Sequence, residues 1–369
     1  MKRVLCILAN MNAGGAETFL MKIYRQLDRT KYQMDFCINV PNKCFYEDEI
    51  ISLGGKIYRI PSKSESFQLY KKKLFEVVNS NGYKYVLRIA SNGASFIDLK
   101  IAKRAGASVC AVRSSNSSDG KGLTVKIAHR LGRFLYGKYV DVKIAPSDLA
   151  AIYTFGERAY KDGDVKILHN ALDLDVYKFG LEERKRVRAE FGIKEFEILC
   201  GHVGRFSPQK NHDFLIDIFS ELCKEHSNYK LLLVGNGELE ERIRKKCADK
   251  GLQDKVIFAG VRSDIPAVLS AMDVFVFPSL YEGMPNTVIE AQATGLPCVI
   301  SDTITKEAKI TDLVRYTSLN NPVGSWASEL LHQEFEKRNR EQYNSVARKQ
   351  GYDIKQCVSQ FVETIFGTI

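Results

Sequence analysis

Short apolar runs recur along the whole chain, separated by segments whose apolar residues return every three or four positions. In the first half the runs are VLCILA (4–9), MDFCINV (34–40), KIYRI (56–60), YVLRIA (85–90), ASVCAV (107–112), VKIAPS (142–147) and VKILHN (165–170). The second half has EILCGHVG (197–204), KLLLVG (230–235), KVIFAG (255–260), DVFVFPS (273–279) and LPCVIS (296–301). Runs that are apolar at nearly every position, not at alternate ones, predict parallel strands covered by helices on both faces. A series this long exceeds one doubly wound sheet. The pattern therefore predicts an α/β chain of two Rossmann-like domains facing across a cleft, over 1–170 and 171–350. The polar segment from about Asp173 to Lys194 is the expected connection, partly helical, and a helix is expected near the end, within 351–369.

Composition narrows the class. At 369 residues, 45% hydrophobic and 27% charged, the chain has the make-up of a soluble protein with two or three cores. No window is apolar enough to predict a transmembrane helix. The start, MKRVLCILANMNAGG, reads as a first strand, because a signal peptide needs a longer apolar region and a small-residue cleavage site. Nine cysteines occur without C-x-x-C pairs, and Cys6, Cys37, Cys110, Cys200 and Cys298 fall inside strand-like runs. They are expected to be reduced core thiols of a cytoplasmic protein. The six histidines show no metal-binding spacing, so neither a metal nor a cofactor is expected.

The net charge of +10 is unevenly spread. Residues 1–170 carry 28 basic and 15 acidic side chains, a charge of +13, and the remaining 26 basic and 29 acidic leave −3. One half is expected to meet something anionic. The segment 121–143 is basic and apolar by turns, with Lys121, Lys126, Arg130, Arg133, Lys138 and Lys143 beside Val125, Ile127, Leu131, Phe134 and Leu135. Such a helix either packs on its sheet or lies on anionic lipid, and the two are compatible if only one face meets lipid.

Ligands of open α/β sheets bind at the carboxyl ends of the strands, so the residues just after each run are the candidates. After the first run, Gly14-Gly15 would turn the chain and present backbone N–H groups at a helix start. The G-x-G-x-x-G spacing of a dinucleotide site is absent. In VGRFSPQKNHDFL, Arg205 and Lys210 precede a helix with Asn211 as its expected N-cap. Two cations and a helix amino terminus suit one or two phosphates; two solvated surface charges are the plainer alternative. In LYEGMPNTVIEAQATGLP, Pro285 and Asn286 suit a helix entry with Asn286 as N-cap, and Glu290 follows on that helix. Glu282, Glu290 and the backbone of Gly283, Met284, Pro285, Asn286 and Thr287 would border one pocket. A favourable helix start accounts for Glu290 but not for Glu282.

These motifs together resemble the group 1 retaining glycosyltransferases of the GT-B fold, and among them bacterial capsular and exopolysaccharide transferases. The resemblance rests on GGAE (14–17), HNALD (169–173), VGRFSPQKN (203–211) and the E-x7-E of Glu282 and Glu290 followed by A-x-A-x-G-L-P. It implies a transferase moving a hexose or N-acetylhexosamine from a nucleotide-sugar, a UDP-sugar, without a metal. The implied acceptor is a growing, undecaprenyl-phosphate-linked glycan. Arg205 and Lys210, beside Gly204 and Asn211, would hold the diphosphate. Glu290 would bind ribose, the backbone of Gly260, Val261 and Arg262 the base, and Glu282 the donor sugar. Gly14 and Gly15 would approach from the other domain, and the C-terminal helix would cross back to the first domain. Glu17, Arg113, Ser115 and Asn116 would face the acceptor. Where the family carries a histidine-containing segment, this chain has Arg113-Ser114-Ser115-Asn116. Asp173-Leu-Asp175 has the form of a metal motif of another glycosyltransferase fold, and the resemblance makes it part of the interdomain junction.

The expected location is the cytoplasm, peripheral at the inner face of the membrane. Alternative readings are an inactive scaffold subunit and a nucleotide-sugar epimerase or hydrolase. A nucleic-acid-binding module on the basic half lacks any recognised motif, so nucleic acid is not an expected partner.

Overall fold

The computed structural model describes residues 1–116, 122–331 and 339–367; Lys121 thus lies outside the described residues. Thirteen strands form among these residues: β1 (Lys2–Ile7), β2 (Tyr32–Ile38), β3 (Ile57–Arg59), β4 (Tyr85–Ala90), β5 (Val109–Ser114), β6 (Val142–Ala145), β7 (Val165–Ile167), β8 (Ile198–Val203), β9 (Tyr229–Val234), β10 (Val256–Gly260), β11 (Val274–Phe277), β12 (Cys298–Ser301) and β13 (Val314–Thr317). The chain divides into two units, residues 1–171 with 351–369, and residues 172–350.

The first unit holds a seven-stranded parallel sheet in the order β3-β2-β1-β4-β5-β6-β7. Its strands are apolar on both faces because both faces are covered. Val4 and Cys6 join one core layer with Phe19 and Phe361, while Leu5 and Ile7 join the other with Tyr70 and Leu99. The helix Ile354–Phe366 belongs to this unit and buries Ile354, Cys357, Phe361 and Ile365, one stripe at helical spacing. Lys2 Nζ donates to the Phe366 carbonyl at 2.8 Å, a cation at the helix carboxyl end.

The second unit holds a six-stranded parallel sheet, order β10-β9-β8-β11-β12-β13. Phe275 and Phe277 point to one layer of its core and Val274 and Val276 to the other. Sequence patterning misses β13, a four-residue edge strand whose Arg315 is exposed. All nine cysteines are free thiols, eight of them buried. No helix among the described residues is long and apolar enough to cross a membrane.

The segment expected as a partly helical connection lies within residues 172–350, the second unit. Its helix Leu181–Glu190 buries Val187 in that unit's core. Arg184 and Arg188 from this helix reach Asp273 at 2.6 and 3.1 Å, and the Leu199 N–H donates to the same carboxylate at 2.7 Å. The two arginines find this partner more than 80 residues further along the chain. Removing Asp273 leaves the buried Arg188 guanidinium without its counter-ion. Asp273→Ala is expected to cost about 3–5 kcal/mol of unfolding free energy in denaturant titration, and Asp273→Asn less.

Candidate active site

The second unit gathers its candidate residues where β8 and β11 end. The chain leaving β8 passes Gly204 and Arg205, makes a short turn at Pro208–Lys210 and enters the helix His212–Glu225. The chain leaving β11 runs through Pro278 to Glu282 and enters the helix Asn286–Ala293. Because β8 and β11 are neighbours in the sheet, these loops lie side by side, and three backbone-directed bonds join them. Leu280 N–H donates to the Gln209 carbonyl at 2.9 Å, the Gln209 side chain to Tyr281 O at 2.9 Å, and Asn211 Nδ2 to Pro278 O at 3.2 Å.

Between the loops, Lys210 Nζ and Glu282 Oε1 form a 2.7 Å ion pair with both side chains largely buried. Lys210 also sits over the Phe277 ring, 4.6 Å from its centroid. A side chain at Gly204 would lie 2.9 Å from His202 Nε2 and 3.3 Å from the Lys210 stem, so only glycine leaves Lys210 this path. Arg205 is exposed and reaches Glu238 at 3.2 Å. Glu290 is buried in the second turn of its helix. It shares a hydrogen bond with the Tyr177 hydroxyl, whose pKa is raised by burial and by this carboxylate.

Of the two expected helix caps, one holds in position only and the other is corrected. Asn211 does precede its helix but does not cap it with its side chain. It adopts the left-handed conformation (φ 56°), and its amide is drawn away to Pro278. At the second helix Pro285, not Asn286, is the N-cap, and Asn286 is the first helical residue. Proline has no N–H, so the backbone of Gly283 to Thr287 offers one amide fewer than a loop of other residues. Met284 is half-buried and packs against the hydrophobic core of the unit.

At the end of β10, Gly260 adopts φ 63°, its carbonyl accepts from Gly235 N–H at 2.8 Å, and Val261 is exposed. The Arg262 side chain is committed elsewhere, to Glu190 and Asp264, the latter at 2.8 Å. Asp175 belongs to a turn closed by its N–H on Asp173 Oδ1 at 3.1 Å, and Arg348 pairs with it at 3.1 Å.

In the first unit, Gly14 stands before the helix Gly15–Gln26 in extended backbone, not in a left-handed turn. Glu17 folds back over Gly14, and burial raises its carboxyl pKa. Arg113 is the penultimate residue of β5 and is 1% exposed. Its guanidinium lies 3.6 Å from the Phe19 ring centroid, and Nη2 donates to Asn170 Oδ1 at 2.7 Å. Burial pushes its pKa down to about 10. The Ser115 N–H donates to Ala90 O at 2.9 Å, and Asn116 is exposed.

Sequence reasoning missed Tyr177, Gln209 and Phe277, and the histidine pair behind Lys210. His202 and His212 are both buried, with ring centroids 4.7 Å apart. His202 Nδ1 pairs with Val276 O at 2.9 Å, and His212 stacks on Phe206 at 4.3 Å. Burial, with Lys210 nearby, lowers the His212 pKa to about 4. An unfolded histidine titrates near 6.5. As pH falls below about 6.5, the unfolded chain therefore binds a proton that the folded chain refuses until about pH 4. Stability is thus lost on acidification. Going from pH 7 to 5 should remove about 2 kcal/mol through His212, and His212→Phe should flatten that slope. Denaturant unfolding followed by Trp326, the single tryptophan and a core residue of this unit, reads it directly.

The family model for glycosyl transferases group 1 matches residues 183–314, which contain both loops. The chain is 33% identical to EpsF of Bacillus subtilis (strain 168), a protein named as a glycosyltransferase, over 97% of this chain and 94% of that one. It is also 33% identical to the UDP-Gal:alpha-D-GlcNAc-diphosphoundecaprenol alpha-1,3-galactosyltransferase of Escherichia coli, over 37% of this chain and 36% of that one. Anabaena HepE, solved in complex with UDP, superposes with a TM-score of 0.79 at 18% identity over the whole of both chains, a likeness of fold. The end-to-end match to EpsF, together with the two parallel-sheet units, shows that this chain belongs to the group 1 glycosyltransferase family and has the GT-B fold.

Proposed function

We propose that the protein transfers a hexose or N-acetylhexosamine from a UDP-sugar to a growing lipid-linked glycan in capsule or exopolysaccharide synthesis, with retention of anomeric configuration. The observation that carries this reading is the buried Lys210–Glu282 pair at the carboxyl ends of β8 and β11, with Glu290 on the following helix. Two similar proteins support the donor and acceptor class: HepE was solved with UDP and with UDP-glucose, and the E. coli relative is named for a UDP-Gal donor and a diphosphoundecaprenol-linked acceptor.

The chemistry follows from charge. As the glycosidic bond breaks, the nucleoside diphosphate gains negative charge. Lys210 turns from Glu282 to the diphosphate, Arg205 leaves Glu238, and the helix amino termini at His212 and Asn286 add partial positive charge. This set offsets the leaving-group charge without a metal. Glu282, released from Lys210, accepts from donor sugar hydroxyls, and Glu290 accepts from the ribose, held in place by Tyr177. The backbone at Gly260 to Arg262 lines the base. Attack comes from the face the leaving group departs, and the departing phosphate oxygen takes the acceptor proton. Arg113, Glu17, Ser115 and Asn116 serve the acceptor, with Gly14 and Gly15 at the start of the first unit's helix. The work is done in the cytoplasm, at the inner face of the membrane.

The test is turnover of UDP-sugars with a short lipid-pyrophosphate-linked glycan in EDTA, the product anomer being read by proton NMR. One UDP-sugar is expected to give a product of retained configuration. Lys210→Ala is expected to lower kcat/KM by about 10²–10³-fold, and Glu290→Ala mainly to raise KM. UDP-sugar breakdown at equal rate with and without acceptor would favour a hydrolase. No turnover of any nucleotide-sugar would favour a scaffold subunit.

A further inference from the structure

The helix Leu123–Tyr136 carries large apolar side chains that the fold does not cover. Phe134 is 84% exposed and Leu123 72%, and Ile127, Leu131 and Leu135 are exposed as well. Their spacing, i, i+4, i+8, i+11 and i+12, places them in one arc of about 120° at 3.6 residues per turn. The opposite side of the helix holds it to the first unit. There His129 Nδ1 accepts from the Gly93 N–H at 2.9 Å, and Nε2 pairs with Tyr153 O at 3.0 Å. Gly132 lets the helix approach the Gly93–Ala94 backbone so closely that a Cβ would stand 2.5 Å from Ala94 Cα. Lys126 and Arg130, both exposed, flank the apolar arc. From 122 to 140 the sequence contains no Asp or Glu.

We propose that this helix is an in-plane membrane anchor. Leu123, Ile127, Leu131, Phe134 and Leu135 bed in the boundary between headgroups and acyl chains of an anionic bilayer, with Lys126 and Arg130 at the level of the lipid phosphates. The inference deepens the lipid-linked acceptor reading above, but it rests on this helix and not on the donor site. Charge selects the occupant. An acid-free basic flank complements anionic headgroups. A second copy docked through the same face would instead set Lys126 and Arg130 among their own counterparts, at a repulsive cost. The apolar arc supplies what a purely electrostatic contact would lack: binding that persists when salt screens the charges.

The experiment is co-sedimentation of the full chain with vesicles of phosphatidylcholine containing phosphatidylglycerol, and with phosphatidylcholine alone, without donor or acceptor. The expected result is binding to the anionic vesicles. Ile127→Ser with Phe134→Ser should weaken it at least tenfold while leaving the thermal unfolding midpoint and UDP binding unchanged, because both side chains are exposed. Lys126→Gln with Arg130→Gln should remove the preference for anionic over neutral vesicles. Absence of binding by the parent chain, or equal binding by the Ile127/Phe134 variant, would overturn the proposal. So would a lipid-free dimer in sedimentation velocity that the same variant abolishes, because the face would then belong to a second copy. None of these failures touches the donor reading, which turnover measures separately.

Discussion

One ion pair, Lys210 to Glu282 at 2.7 Å, puts the charge of the candidate site between two loops that three backbone-directed hydrogen bonds hold side by side. Its partners come from chain segments 72 residues apart, brought together because β8 and β11 are adjacent in the sheet. A pair this buried is favourable only where neighbours compensate for lost hydration. Here the Phe277 face receives the ammonium, and the narrow passage at Gly204 fixes its direction. The pair stores one cation and one carboxylate in a neutral arrangement. An incoming diphosphate can take the cation, which leaves the carboxylate for sugar hydroxyls.

The rest of the second unit serves to keep those loops in register. Asp273, one residue before β11, binds the Leu199 N–H of β8 and two arginines of the preceding helix, locking the two strands at the end opposite the site. The neutral, buried His202–His212 pair packs beneath Lys210 and adds no competing charge. Glu290 is braced in the same manner by Tyr177, from the segment that opens the unit. In the first unit the positive charge is disposed differently. Arg113 is buried on Phe19 with Asn170 as its polar partner, whereas the basic residues beside the exposed apolar arc are in solvent.

Much of this was legible in the sequence, for identifiable reasons. Strands such as YVLRIA and DVFVFPS announce themselves because a sheet buried on both faces needs an apolar residue at nearly every position. The carboxyl-end rule then singled out Arg205, Lys210 and Glu282 without any knowledge of their contacts. What escaped depends on long-range pairing. The helix Leu181–Glu190 falls in the segment read as a partly helical connection, but its tie to the sheet was not legible because Arg184 and Arg188 find Asp273 only in the fold. Tyr177 sits in a polar stretch and gains meaning only beside Glu290. At Asn211 the cap position was read correctly but a tertiary bond takes its side chain, and at Asn286 a proline takes the cap position in spite of the local preference of asparagine. Arg113 lies beyond the apolar run 107–112, and nothing local shows that β5 runs two residues further.

The most direct test of the central claim is a calorimetric titration of UDP into the parent chain, Lys210→Met and Glu282→Gln at one ionic strength. If Lys210 is the cation that the diphosphate takes from Glu282, Lys210→Met should weaken UDP at least tenfold. Glu282→Gln should bind UDP at least as tightly as the parent, because the competing carboxylate is gone. Equal affinity for UDP in the parent and in Lys210→Met would contradict the account and reduce the pair to a structural tie between two loops.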